Sequence, residues 1–117
     1  MPNKPPRISD FNIYQTKSHI TAVYPNVGNN IEYVTLGLCN EAGEVAGKVK
    51  KLLRDDNSIL TEERKKDIAK ELGDVLWYAA ELATTLGIDL HDIAFANIDK
   101  LQERKSKGTL KGDGDNR

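Results

Sequence analysis

The chain has one cysteine, Cys39, so no internal disulfide can form. That absence fits a reducing compartment, and a cytoplasmic setting is expected. No apolar run approaches the ~20 residues of a membrane-spanning helix. The opening Met-Pro-Asn-Lys-Pro-Pro-Arg has no apolar h-region, which speaks against a secretory signal. A basic excess is missing too. The formal net charge is −1, where a general nucleic-acid binder usually carries a surplus of Lys and Arg. The two histidines, His19 and His91, stand at no ligand spacing to one another or to Cys39. That argues against zinc and reads each as a surface or partly buried residue.

What is present is a chain of 117 residues, 38% hydrophobic and 30% charged. The length suits one domain with a modest core. The composition suits a helical protein with much solvated surface, or one that buries more by oligomerising. No β-alternation is convincing. Residues 1–8 read as a proline-rich arm, 9–107 as a helical domain and 108–117 as a glycine-rich tail.

Ser9 or Asp10 can cap a first helix running to about Tyr24, with Phe11, Ile13, Tyr14 and Ile20 as its core residues. Asn29 or Asn30 can cap a second, from about Ile31 to Leu53. In it Val34, Leu38, Ala42, Val45, Val49 and Leu52 recur at steps of three and four. Thr61 caps a third, reaching Leu86, with Ile68, Leu72, Val75, Ala79, Leu82 and Leu86 as its stripe. Gly87 ends it. Asp89 opens a fourth, Leu90 to Lys107, with Leu90, Ile93, Ala94 and Leu101 inward. The expected fold is all-α, an antiparallel four-helix bundle.

Two acidic pairs stand out, Glu41-Ala-Gly-Glu44 and Glu71-Leu-Gly-Asp74. Acids three apart leave a helix on one side. A single such pair is ordinary solvated surface, because glutamate is a good helix former. Two pairs on neighbouring helices, both flanking the apolar stripe, form an oxygen-rich site for a hard divalent cation if they face each other. Mg²⁺ is expected, with Mn²⁺ as a substitute. Each pair also holds a glycine, Gly43 or Gly73. Glycine costs about 1 kcal/mol in a helix interior, so something there is expected to need room. A di-iron bundle would show Glu-x-x-His on two helices, which this chain does not.

Asn97, Lys100, Arg104 and Lys107 share one face of the fourth helix. Such a face is commonly just solvated. Beside an acidic metal site it would hold the outward oxygens of phosphates. Lys48, Lys51 and Lys111 are further candidates. Trp77 and Tyr78 read either as core or interface residues or as a stacking surface for a base.

Three segments together resemble the MazG-like, all-α nucleoside triphosphate pyrophosphohydrolases. They are Leu38-Cys-Asn-Glu41-Ala-Gly-Glu44-Val, Glu71-Leu-Gly-Asp74-Val-Leu-Trp-Tyr78 and Asn97-Ile-Asp-Lys100-Leu-Gln-Glu-Arg104. The family pattern is EExxE followed by ExxD, and Asn40 stands here in place of its first acid. The resemblance spans about Ile31 to Lys107. It implies a helical module completed as a homodimer or homotetramer. It also implies Mg²⁺-dependent hydrolysis of a (deoxy)nucleoside triphosphate to the monophosphate and pyrophosphate, by water attack at a two-metal site. Glu41, Glu44, Glu71 and Asp74 would be metal ligands and catalytic residues, with one glutamate orienting or deprotonating the water. Lys100 and Arg104 would hold phosphates, and Asn97 phosphate or sugar. The single module and its ending resemble compact phage or bacterial members, acting in a bacterial cytoplasm. The tail, with Lys111 and Arg117 among its glycines, would close over the nucleotide. Two alternatives stand beside this: a phosphoribosyl-nucleotide pyrophosphohydrolase of the histidine-pathway type, and a non-catalytic helical interaction module.

Overall fold

A computed structural model describes residues 10–109 and 111. The expected arm at 1–8 and all of the tail from 110 on except Lys111 lie outside the described residues. Four helices follow in order: α1 (Phe11–Ile20), α2 (Ile31–Asp55), α3 (Glu62–Leu86) and α4 (Leu90–Lys107). No strand occurs among the described residues, so the all-α expectation holds.

The helix ends follow local chemistry. Asp10, Asn30 and Thr61 each accept a hydrogen bond from the amide three residues on, satisfying one donor the helix leaves open. Gly87 and Gly108 end α3 and α4 at positive φ, the left-handed region where a Cβ is strained. α1 stops at Ile20 rather than near Tyr24, because the Thr21 hydroxyl bonds back to the Ser18 carbonyl and the chain turns into a loop. Asp89 makes no side-chain cap on α4. Gln15 of α1 does that work from outside. Its carbonyl accepts from the Leu90 amide at 2.7 Å while its amide donates to Thr84 and to the Ile88 carbonyl.

α2 and α3 form a long antiparallel hairpin. Arg64 ties the turn by donating to Asp56 at 2.7 Å. α1 and α4 pack on α3 and on each other, while α2 packs on α3. The buried core is correspondingly small: Val34, Leu52, Ala80, Ala83, Leu90 and Tyr24. Several residues expected in the core are exposed, because nothing among the described residues covers them. They are Phe11, Ile13, Ile20, Val49, Leu72, Leu86 and Ile93, together with Ala42. Tyr14, Leu38, Val45, Ile68, Val75, Ala79, Leu82, Ala94 and Leu101 are half-buried. Phe11, Tyr14, Leu76, Phe95 and Ile98 line an open apolar groove between α1, α3 and α4.

Candidate metal and nucleotide site

The α2–α3 hairpin brings acids from both pairs together. One carboxylate oxygen each of Glu41, Glu71 and Asp74 lies within 4.8 Å of the others. Glu41 and Glu71 are half-buried and Asp74 is exposed. Burial first, then the charges of Asp74, Glu71 and Glu44, pushes the Glu41 carboxyl above the ordinary glutamate range. Like charges gathered this closely favour a proton or a cation. Three hard oxygens leaving room for water are the donor set that Mg²⁺ or Mn²⁺ takes, so these residues fit the ion. Glu44 is exposed and outside the group of three, though its charge still reaches Glu41.

The glycines beside the acids have a plainer role than expected. A Cβ at Gly43 or Gly73 would meet nothing within 4 Å. The close approach is at Gly37, one turn before Glu41, where an added Cβ would strike the Tyr78 ring. The Tyr78 ring thereby sits close against α2 at Gly37. Burial and the neighbouring Tyr33 hydroxyl, followed by the Tyr33, Glu41 and Asp74 charges, raise its phenol. The Glu41 and Asp74 charges thus reach the Tyr78 phenol. Tyr14, on α1, is raised by burial and then by Asp74.

Four aromatic rings form a continuous wall here. Tyr24 stacks on Tyr33 with centroids 4.8 Å apart, and Trp77 meets Tyr24 and Tyr78 edge-on. Tyr78 and Tyr33 stand 6.4 Å apart. Trp77 is half-buried in this wall. Its indole donates to the Thr21 hydroxyl at 2.8 Å. Tyr24 and Tyr33 were not legible as site residues. Tyr24 sits in a loop, and α2 begins only two residues before Tyr33.

The basic face of α4 is graded. Arg104 is 4% exposed, Lys100 is half-buried, and Asn97 and Lys107 are exposed. Lys107 donates to Glu103 at 2.6 Å. α4 packs on α1 and α3. Lys48 is half-buried on α2, and Lys51 and Lys111 are exposed.

Comparison with known proteins agrees with this geometry. The MazG nucleotide pyrophosphohydrolase domain matches residues 29–109, which hold both acidic pairs and the α4 face. "Gene 37 protein" of Mycobacterium phage L5 is 47% identical over 110 residues, covering 90% of this chain and 96% of that protein. No solved structure matches. A domain match over most of the chain, seated on a hairpin that gathers its acids, places the protein in the MazG nucleotide pyrophosphohydrolase family.

Proposed function

We propose that the protein hydrolyses a nucleoside triphosphate to the monophosphate and pyrophosphate, with Mg²⁺ held by Glu41, Glu71 and Asp74 and approached by Glu44. The observation that carries this reading is the oxygen cluster drawn from both helices of the hairpin. When bound, the ion supplies positive charge for the polyphosphate and lowers the pKa of a coordinated water. The chain's own groups do the rest. Glu44 lies outside the cluster but near it, which suits it to take the proton of the attacking water. The water oxygen bonds to the α-phosphorus, the bond from that phosphorus to the α–β bridging oxygen breaks, and pyrophosphate leaves. Lys100, Arg104 and Asn97 hold phosphate or sugar, with Lys48, Lys51, Lys107 and Lys111 as outer cations. Trp77 and Tyr78 form part of the surface that meets the base.

The chain assembles as a homodimer or homotetramer in this reading, supported by the uncovered apolar side chains of α3 and α4. The helical domain 9–107 carries the site.

A panel of ribo- and deoxyribonucleoside triphosphates with Mg²⁺, together with a phosphoribosyl nucleotide, tests the reaction. Pyrophosphate and the monophosphate are the expected first products. Orthophosphate as the first product overturns cleavage between the α and β phosphates. Glu41→Gln and Asp74→Asn should each lower kcat/KM by at least about a hundredfold, the order seen when a group stabilising the transition state is removed.

A further inference from the structure

Glu81 is the largest side chain fully buried among the described residues, at 0% exposure. Its position, seven residues after Asp74, puts it two turns further along the same side of α3. Its carboxylate accepts from the Tyr24 hydroxyl at 2.7 Å, and His19 Nδ1 lies 3.2 Å from both oxygens. His19 belongs to α1 and Tyr24 to the loop before α2, so this one carboxylate fastens two other elements to α3.

A buried carboxylate is a poor way to gain stability. Desolvation consumes most of what its partners return, and an apolar group of similar shape often does as well. What such a group supplies is direction, because its hydrogen bonds fix where its partners point. The partner fixed here is Tyr24, whose ring is the inner member of the aromatic wall. Tyr24 stacks on Tyr33 with an interplanar angle of 13°. Tyr33 sits beside Tyr78, and the Tyr78 hydroxyl feels Glu41 and Asp74. A series of neighbouring groups therefore runs from Glu81 through Tyr24 and Tyr33 to Tyr78, whose phenol the Glu41 and Asp74 charges reach. Tyr33 stacks on Tyr24 yet is 41% exposed, so it keeps surface that a planar ring can reach.

We propose that Glu81 is a positioning residue that sets the aromatic wall against which the substrate's base stacks, acting through Tyr24 and Tyr33. The proposal rests on the nucleotide reading above. Base–aromatic stacking accepts any base by its π-face, so the residue governs how tightly nucleotides are held rather than which bond is cut.

Trp77 is the only tryptophan and belongs to the wall, so its fluorescence reports the wall directly. Glu81→Ala should shift Trp77 emission in the metal-free protein. It should raise KM for nucleoside triphosphates about tenfold while kcat stays within about threefold, the pattern of a lost binding contact. Mn²⁺ affinity, read alone by paramagnetic resonance, should hold within about twofold, since the positioned wall is not part of the cation's oxygen donor set. Glu81→Gln, which can still accept from Tyr24, should restore most of the loss. An unchanged KM overturns the proposal. So does a fall in kcat with KM constant, or a loss of Mn²⁺ binding. Should Glu81→Ala fail to fold, Tyr24→Phe keeps the ring and deletes only the hydroxyl. A KM unchanged in that variant is equally fatal. If the wild type hydrolyses no nucleotide, the hydrolase reading fails on its own. Quenching of Trp77 by an α,β-methylene nucleoside triphosphate with Mn²⁺ then tests Glu81 separately, and equal affinity in wild type and Glu81→Ala refutes its role.

Discussion

Glu41 carries the electrostatic tension of the site. Burial and three neighbouring acids raise its carboxyl, so the metal-free folded chain keeps the Glu41 proton at pH values where the unfolded chain has released it. Linkage then fixes the sign. The folded state binds more protons in that window, so stability falls as pH rises from the ordinary glutamate range through the raised one. Urea unfolding in EDTA across that window should show the slope, and Glu41→Gln should flatten it. A divalent cation relieves the same repulsion. Excess Mg²⁺ or Mn²⁺ at about a hundred times Kd should stabilise the wild type by about 2.7 kcal/mol. Glu41→Gln and Asp74→Asn should lose most of that gain in a thermal melt. The acids themselves were legible in the sequence, because spacing of three on an amphipathic helix fixes the side from which they leave. Spacing also puts Glu81, seven residues after Asp74, on that side of α3. Its burial depends on where α1 and its loop fall, which no helical wheel of α3 contains.

At the scale of elements, a glycine's meaning is set by the helix across from it. Gly43 and Gly73 face open space, and Gly37 faces the Tyr78 ring. Gly43→Ala should therefore stabilise α2 by up to about 1 kcal/mol through helix propensity alone. Gly37→Ala should destabilise by about 1–3 kcal/mol, the usual penalty of overpacking, and should shift Trp77 fluorescence as Tyr78 is displaced. Urea midpoints of the two variants moving in the same direction would defeat this reading. Pairwise geometry of this kind is invisible to a one-helix pattern, so the sequence drew attention to the wrong glycines. Helix ends are the opposite case. Asp10, Asn30, Thr61 and Gly87 work through neighbours within four residues, and the local pattern named Thr61 and Gly87 outright and Asp10 and Asn30 each as one of two adjacent candidates. The exception, Asp89, gave way to Gln15 from a distant helix.

For the whole molecule, the decisive fact is how much apolar surface one chain leaves uncovered. Leu72, Leu76 and Leu86 lie on one side of α3 and are 59%, 39% and 50% exposed. Leu76 continues into the groove shared with Phe95 and Ile98. Periodicity marked Leu72 and Leu86 as core residues, and the single chain does not bury them. The pattern records that a face is to be covered and cannot say by which chain. Patches of this kind on a monomer mark an interaction surface, and a second copy is the partner available at every concentration of the protein. Sedimentation should therefore show a dimer or tetramer. The thermal midpoint should rise with protein concentration, as mass action requires when folding and assembly are linked. Leu72→Lys places a charge in the middle of that α3 face, where it would have to be desolvated on association. It should yield a smaller species whose melting is independent of concentration, while Mn²⁺ still binds to the α2–α3 hairpin because the three carboxylates belong to one chain. An oligomer unchanged by Leu72→Lys would move the interface away from α3. A wild type that sediments as a monomer would refute assembly through this face.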